Sequence, residues 1–320
     1  MKAICLPNGR STTQLGFGCG SLHGALEARQ SLRLIDAAFE AGIRHFDVAS
    51  SYGLGLAEGI LGRAIAARGK DSTITTKAGL GRPGFAWPTS AMRTLVKPVL
   101  ARFTSVDTMR RIAGGNQPLG SFEPALVRAS LEESLAALRT RDIDIFLMHE
   151  IRGHDVTPAL LEMLAGCKLA GVIGAIGTGT CLSEEAVVAA HWPDLAEVRQ
   201  FRWDIFEPWL KRMTSGLVIT HGAIRPALVR LRHILDGNRG LEAAWSSKLD
   251  EDLRRPERLA DLLLGAALAN NRDGLVLVYS KREERIRRFV SIAGDAVTQE
   301  KGKVLAELMR SSSRQNGAVP

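Results

Sequence analysis

A chain of 320 residues has room for two ordinary domains or for one large α/β barrel. Its 45% hydrophobic and 24% charged residues are those of a soluble globular protein, and no stretch reads as a signal peptide or a bilayer span, so a cytoplasmic protein without membrane contacts is expected. The net charge of +8 is dispersed and lacks aromatic interleaving, which argues against nucleic acid and suits an anionic cofactor or substrate.

In chain order, residues 2–6 and 11–15 flank Pro7-Asn8-Gly9-Arg10, and the Asn-Gly pair predicts a short β-hairpin. The glycine-rich run 15–24 reads as a first core strand and its loop, and 26–41 as a helix ended by Gly42. GIRHFDVASSYG (42–53) is a buried strand running into a loop, followed by a helix over 56–68 and a β-branched strand over 72–79. Residues 80–120 interrupt this rhythm as a long functional loop or lid. Alternation resumes with a helix from Pro124, a strand over 143–150, and a helix to about Ala170 that Thr157-Pro158 caps. A strand over 172–179, a helix from Ser183, and strands over 196–204 and 216–222 follow. A second irregular stretch is expected over 222–256, then a helix over 257–270, a last strand over 274–280, a basic helix over 281–293 and a final helix over 298–311. Eight strand–helix units with no composition break predict a single barrel domain over 1–310, with a flexible tail at 311–320. The fold class is thus a (β/α)8 TIM barrel with an N-terminal hairpin and long loops after its third and seventh strands. An open doubly wound sheet is disfavoured because no GxGxxG turn follows the first strand.

In such a barrel the chemistry sits at the C-terminal ends of the strands. Asp47, Lys77 and His149 end three successive strands, and Tyr52 lies in the loop after the first of them. A buried carboxylate needs a cation, and Lys77 is placed to answer Asp47. A neighbouring ammonium also lowers the pKa of a phenol, so Lys77 is expected to tune Tyr52 while His149 supplies a second donor to a developing oxyanion. Each residue alone reads most simply as a structural ion pair or a satisfied core histidine. All four at adjacent strand ends read as a proton-relay site for carbonyl reduction or alcohol oxidation.

The motifs GIRHFDVASSYG-x4-E-x2-LG (42–62), TTKAG (75–79), FLMHE (146–150), AIGTG (175–179) and YSKREERI (279–286) resemble, in order, the signatures of the aldo-keto reductases. The resemblance implies a (β/α)8 barrel, a nicotinamide cofactor across the rim, hydride transfer without metal, and a catalytic tetrad of Asp47, Tyr52, Lys77 and His149 with Tyr52 as general acid or base. The pattern after the third strand, SFEPALVRASLEESL, is closer to the sugar and pyridoxal dehydrogenase branch. By the same resemblance, Gly179-Thr180 stands where the family grips the nicotinamide carboxamide, and Gln200 matches its strand-six glutamine. Thr220-His221 stands where a stacking aromatic is usual, with His221 the candidate for that role. Ser280, Lys281 and Arg285 fall where an adenosine 2′-phosphate is held, so NADP(H) is favoured and NAD(H) is the alternative.

The expected substrate is a small carbonyl or hydroxyl compound. Arg82, Arg93, Lys97, Arg102, Arg110 and Arg111 against the single acid Asp107 would bias the insertion toward an acidic one, and Phe85 and Trp87 would line it or anchor it. Two competing classes remain at this point. One is a non-catalytic nucleotide-binding barrel acting as a sensor or partner subunit. The other is a metal-dependent hydrolase using Asp47, His149, Glu150 and His154. The four cysteines (Cys5, Cys19, Cys167, Cys181) have no metal-ligand spacing and read as reduced thiols.

Overall fold

The alternation of strands and helices closes into a ring. The computed structural model describes residues 1–20, 22, 28–80, 121–207, 210 and 216–315. The chain begins with a hairpin of β1 (Ala3–Cys5) and β2 (Ser11–Thr13), antiparallel with Ile4 opposite Thr12. The elements that follow are β3 (Leu15–Gly18), α1 (Ala28–Glu40), β4 (His45–Asp47), α2 (Ala57–Ile65) and β5 (Thr73–Ala78). After the insertion come α3 (Pro124–Leu138), β6 (Ile143–His149), α4 (Pro158–Leu169), β7 (Ile173–Gly179), α5 (Leu182–His191) and β8 (Val198–Arg202). The last part comprises β9 (Leu217–His221), α6 (Arg225–Asp236), α7 (Arg239–Leu249), α8 (Pro256–Asn270), β10 (Leu275–Val278), α9 (Glu283–Ala293) and α10 (Ala296–Gln315). The barrel order is β10-β3-β4-β5-β6-β7-β8-β9, every neighbouring pair is parallel, and the ring is closed.

Alternate side chains of each strand point to opposite faces, so the barrel has two apolar layers. Inward-facing Ile145, Leu147, Ala175, Val198, Leu217, Ile219, Leu275 and Leu277 form an inner cluster together with Ile4 and Leu6 of the hairpin. The hairpin therefore closes the bottom of the barrel. Polar contacts fix it there: Asn8 Nδ2 and Arg10 Nη1 donate to Asp144 Oδ1 at 3.1 and 2.6 Å, and Asp144 Oδ2 accepts the Ile74 N–H at 2.8 Å. Outward-facing Phe17, Phe46, Phe146 and Phe201 pack in the larger cluster under the helices. The glutamate of the first signature, Glu58, works in this outer layer. It is buried and accepts the Thr76 hydroxyl at 2.6 Å, tying α2 to β5.

Two expectations need correction. Residues 222–256 are long but largely helical. Ala227, Leu231 and Leu235 give α6 a buried stripe at four-residue spacing, and Asn238 caps α7 by accepting the Leu241 N–H at 2.9 Å. The density of arginine and the Gly237-Asn238-Arg239-Gly240 junction mask that period in the sequence. At the other end of the chain, α10 continues to Gln315, so residues 311–315 are helical and not tail. The insertion residues Arg82, Phe85, Trp87, Arg93, Lys97, Arg102, Asp107, Arg110 and Arg111 lie outside the described residues.

Candidate active site

At the C-terminal mouth of the barrel, Asp47 ends β4 and is buried, with its carboxylate oxygens divided between two donors. Oδ1 accepts from Lys77 Nζ at 2.7 Å, and Oδ2 accepts from Gln200 Nε2 at 2.7 Å. Lys77, fully enclosed on β5, also donates to the Val48 carbonyl at 3.1 Å and to the Tyr52 hydroxyl at 3.2 Å. An ammonium has three N–H bonds, and these three acceptors use all of them. Tyr52 opens a short 3-10 turn (Tyr52–Gly55) directly after β4, which swings its ring over the lysine, and Nζ lies 4.8 Å from the ring centroid. Because Lys77 donates to the phenol oxygen, Tyr52 keeps its own O–H to give away.

His149, half-buried at the end of β6, stands edge-on to Tyr52 with ring centroids 6.0 Å apart and an 83° interplanar angle. The four residues expected from the strand ends are thus brought together.

Their electrostatics depart from expectation in one respect. Burial raises the Tyr52 phenol above its ordinary value, and Lys77 opposes that shift without reversing it. For Lys77, burial favours the neutral amine, but Asp47 and Tyr52 outweigh it and hold the group above the usual lysine range. At neutral pH the pair is therefore an ammonium beside a neutral phenol.

The expected cofactor residues divide. Gln200 faces the mouth, but its amide N–H supports Asp47, so it buttresses that buried carboxylate. Gly179 is buried beside it: a Cβ there would stand 3.3 Å from Gln200 Oε1 and 3.7 Å from Lys77 Cδ, so the glycine lets β7 pack closely against both. Thr180 is buried and its N–H donates to the Gln200 carbonyl at 3.1 Å. Thr220 is not at the mouth. Strand alternation puts Ile219 in the inner cluster and turns Thr220 outward, where its hydroxyl accepts from Asn271 Nδ2 at 3.4 Å. It ties β9 to the residue after α8, and the expectation of a cofactor contact is corrected. His221 does reach the mouth. Its imidazole is held below the ordinary range by burial, opposed by Asp47 and reinforced by Lys77 and Arg202. Ser280 accepts the Arg282 N–H at 3.0 Å just before α9, while Lys281 is exposed and Arg285 half-buried on that helix. This helix start, with its free N–H groups and basic side chains, suits a phosphate.

Two mouth and barrel residues escaped the sequence reading. Arg202 ends β8 two positions beyond Gln200, and counting alternation forward from the glutamine would have placed it inside. His45 lies two residues below Asp47, fully buried, with Nδ1 and Nε2 at 3.0 and 3.1 Å from the hydroxyls of Thr73 and Thr75. Burial lowers it to about 4, against the pull of Asp47 and Asp144. A histidine depressed on folding stabilises the protein above its unfolded value of 6.5, and that contribution is lost as pH falls toward 4. We expect acid to remove about 3 kcal/mol through this one group. Denaturant titrations at neutral and acid pH should show a smaller acid loss in His45→Asn, and an undiminished loss would exclude this role.

Among the described residues, no group of three or more His, Cys, Asp or Glu is arranged to hold a metal ion, and no helix is long and apolar enough to cross a membrane.

Comparison with known proteins places this geometry among relatives. The sequence profile of the aldo/keto reductase family matches residues 14–208. A D-threo-aldose 1-dehydrogenase of a Pseudomonas species is 32% identical over 195 residues, 58% of this chain and 56% of that protein. An uncharacterized oxidoreductase of Bacillus subtilis, YqkF, is 27% identical over 165 residues, 50% of this chain and 42% of that protein. The matched segment spans about half the length of these relatives. Among solved structures, a glycerol dehydrogenase of Gluconobacter oxydans is similar with a TM-score of 0.69 and 19% identity, covering 98% of this chain and 95% of that one. An aldo-keto reductase of Klebsiella pneumoniae in complex with NADPH is similar with a TM-score of 0.64 and 17% identity, covering 97% and 94%. At such identities the structural likeness speaks for the fold alone.

Proposed function

Because the chain belongs to the aldo/keto reductase family, we propose that it is an oxidoreductase interconverting a carbonyl compound and its alcohol with NADP(H), and that Tyr52 moves the proton. The observation that carries this reading is the single ammonium of Lys77 bridging the Asp47 carboxylate and the Tyr52 hydroxyl. When bound, the nicotinamide ring supplies or accepts the hydride. The chain's own groups do the remaining work. In reduction, the Tyr52 O–H protonates the oxygen that hydride arrival makes basic, and Lys77 stabilises the resulting phenolate. Asp47 keeps Lys77 charged and aimed, Gln200 holds Asp47, and His149 beside the tyrosine offers a second donor to the substrate oxygen. In oxidation the phenolate takes the alcohol proton back.

The name of the Pseudomonas relative supports an aldose or similar aldehyde as substrate. A cytoplasmic location is part of the same reading, since it suits an enzyme drawing on the reduced nucleotide pool. Gly179, Thr180, Gln200 and His221 would hold the nicotinamide end, and Ser280, Lys281 and Arg285 the adenosine end. Lys281, Arg282 and Arg285 around the start of α9, set against Glu283 and Glu284 in its first turn, favour NADP(H) over NAD(H).

The test is NADPH oxidation with a panel of aldehydes and aldoses, alongside fluorescence titration with NADPH and NADH. Arg285→Leu is expected to weaken NADPH binding by about tenfold, the cost of one charge-assisted phosphate contact, with little effect on NADH. Equal losses for both nucleotides would contradict the assignment of Arg285 to a 2′-phosphate.

A further inference from the structure

We propose that Arg202 is a specificity-determining residue that binds the carboxylate of an acidic carbonyl substrate, an inference that rests on the oxidoreductase reading above. Along β8, Val198 belongs to the inner cluster and Gln200 reaches Asp47, so Arg202 is the next inward position. It stands one layer, about 7 Å, nearer the mouth than Gln200. In the barrel order β8 lies four places from β4 in a ring of eight, which makes it the opposite wall. Arg202 is therefore carried by the wall opposite β4, the strand whose loop carries Tyr52.

The guanidinium is presented and held. Its side chain is 56% exposed, while that of its partner Asp204 is only 6% exposed. Nη2 donates to Asp204 Oδ2 at 3.1 Å, and Asp204 Oδ1 is itself fixed by the Phe206 N–H at 3.0 Å. The aliphatic stem lies over Gly222, where a Cβ would come within 3.1 Å of Arg202 Cγ. Gly222 also has φ of +80°, so a side chain there would be strained by its backbone and would press on the Arg202 stem. One acceptor leaves most of the five guanidinium N–H donors available to a ligand, in a planar fork that matches a carboxylate.

Its neighbour supports the same conclusion. His221 lies beside Arg202 in the β8–β9 register and is driven toward the neutral imidazole. Of this strand-end pair, Arg202 is then the member that carries the positive charge. A substrate whose carbonyl meets Tyr52 and whose far end is a carboxylate would span the mouth between the two walls.

The test compares succinate semialdehyde with butanal, which share a four-carbon chain and differ in the terminal carboxylate. The wild-type protein should show the higher kcat/KM for succinate semialdehyde. Arg202→Gln should lower the ratio of the two kcat/KM values by about tenfold or more, and Arg202→Lys should recover part of it. Equal turnover of both aldehydes by the wild type, which needs no variant, overturns the proposal, as does a ratio unmoved by Arg202→Gln. Weakened NADPH binding in Arg202→Gln with an unmoved ratio would assign the arginine to the cofactor's phosphates and overturns it equally. Failure of both aldehydes to oxidise NADPH in the wild type would instead remove the oxidoreductase reading itself.

Discussion

Tyr52→Phe is expected to lower kcat by about a thousandfold or more in both directions while leaving NADPH affinity close to that of the wild type. The substitution removes one oxygen from a ring whose position over Lys77 is set by the turn at Tyr52–Gly55, so the mouth should keep its shape. What is lost is the group that delivers a proton to the oxyanion as hydride arrives. The raised phenol also fixes the pH dependence. Burial keeps Tyr52 protonated beyond its ordinary value of 10.0, so reduction should hold through neutral and mildly alkaline pH and decline only above that value. Oxidation needs the phenolate and should rise with pH over the same interval. A residual rate in Tyr52→Phe within tenfold of wild type would place the proton elsewhere, with His149 the nearest alternative.

The second large effect concerns Lys77. Lys77→Met keeps the length of the side chain and removes its charge, which leaves the buried Asp47 carboxylate answered only by Gln200. Breaking a buried ion pair from one side typically costs about 3–5 kcal/mol, and a loss of that order is expected in denaturant titration. The raised pKa of Lys77 has a corresponding signature: the stability it confers is complete below its ordinary value of 10.5 and is lost only as pH rises through its higher folded value. Stability alone would not separate a catalytic lysine from a structural one. The separating observation is the oxidation profile. Lys77 is what opposes the burial of the Tyr52 phenolate, so whatever oxidation remains without it should need a still higher pH. The double variant Asp47→Asn/Lys77→Met should recover much of the stability, because no unpaired charge remains, and none of the activity. An oxidation profile unchanged in Lys77→Met would reduce the pair to a structural ion bridge.

The sequence carried the tetrad because each member follows a simple rule. Asp47, Lys77 and His149 each end an apolar or β-branched run, and a polar residue in that position faces either solvent at the mouth or a partner. Burying Asp47 demands a cation, and only a strand in register with β4 can bring one. The barrel followed from the same alternation counted eight times. What stayed hidden depended on information that single positions do not hold. Thr220 was assigned from its place in a motif, whereas the parity of β9, with Ile219 inward, turns it toward Asn271. The bond from Gln200 to Asp47 is invisible in the sequence because the two are 153 residues apart and meet only across the closed barrel. Arg202 is set apart from the other dispersed charges only by the inward parity of β8. The helices α6 and α7 were missed because their buried stripes are narrow and their remaining residues are strongly polar.

Whether the Tyr52 proton completes hydride transfer at this mouth is decided by a single-turnover reaction in which protein loaded with NADPH, deuterated at the transferring carbon, is mixed with a reactive aldehyde. The wild type should carry deuterium to the carbonyl carbon of the product alcohol, with loss of the nicotinamide absorbance in the same step, and Tyr52→Phe, equally loaded, should do so at least about a thousandfold more slowly. Product without deuterium at that carbon, or equal rates in the two proteins, would contradict it.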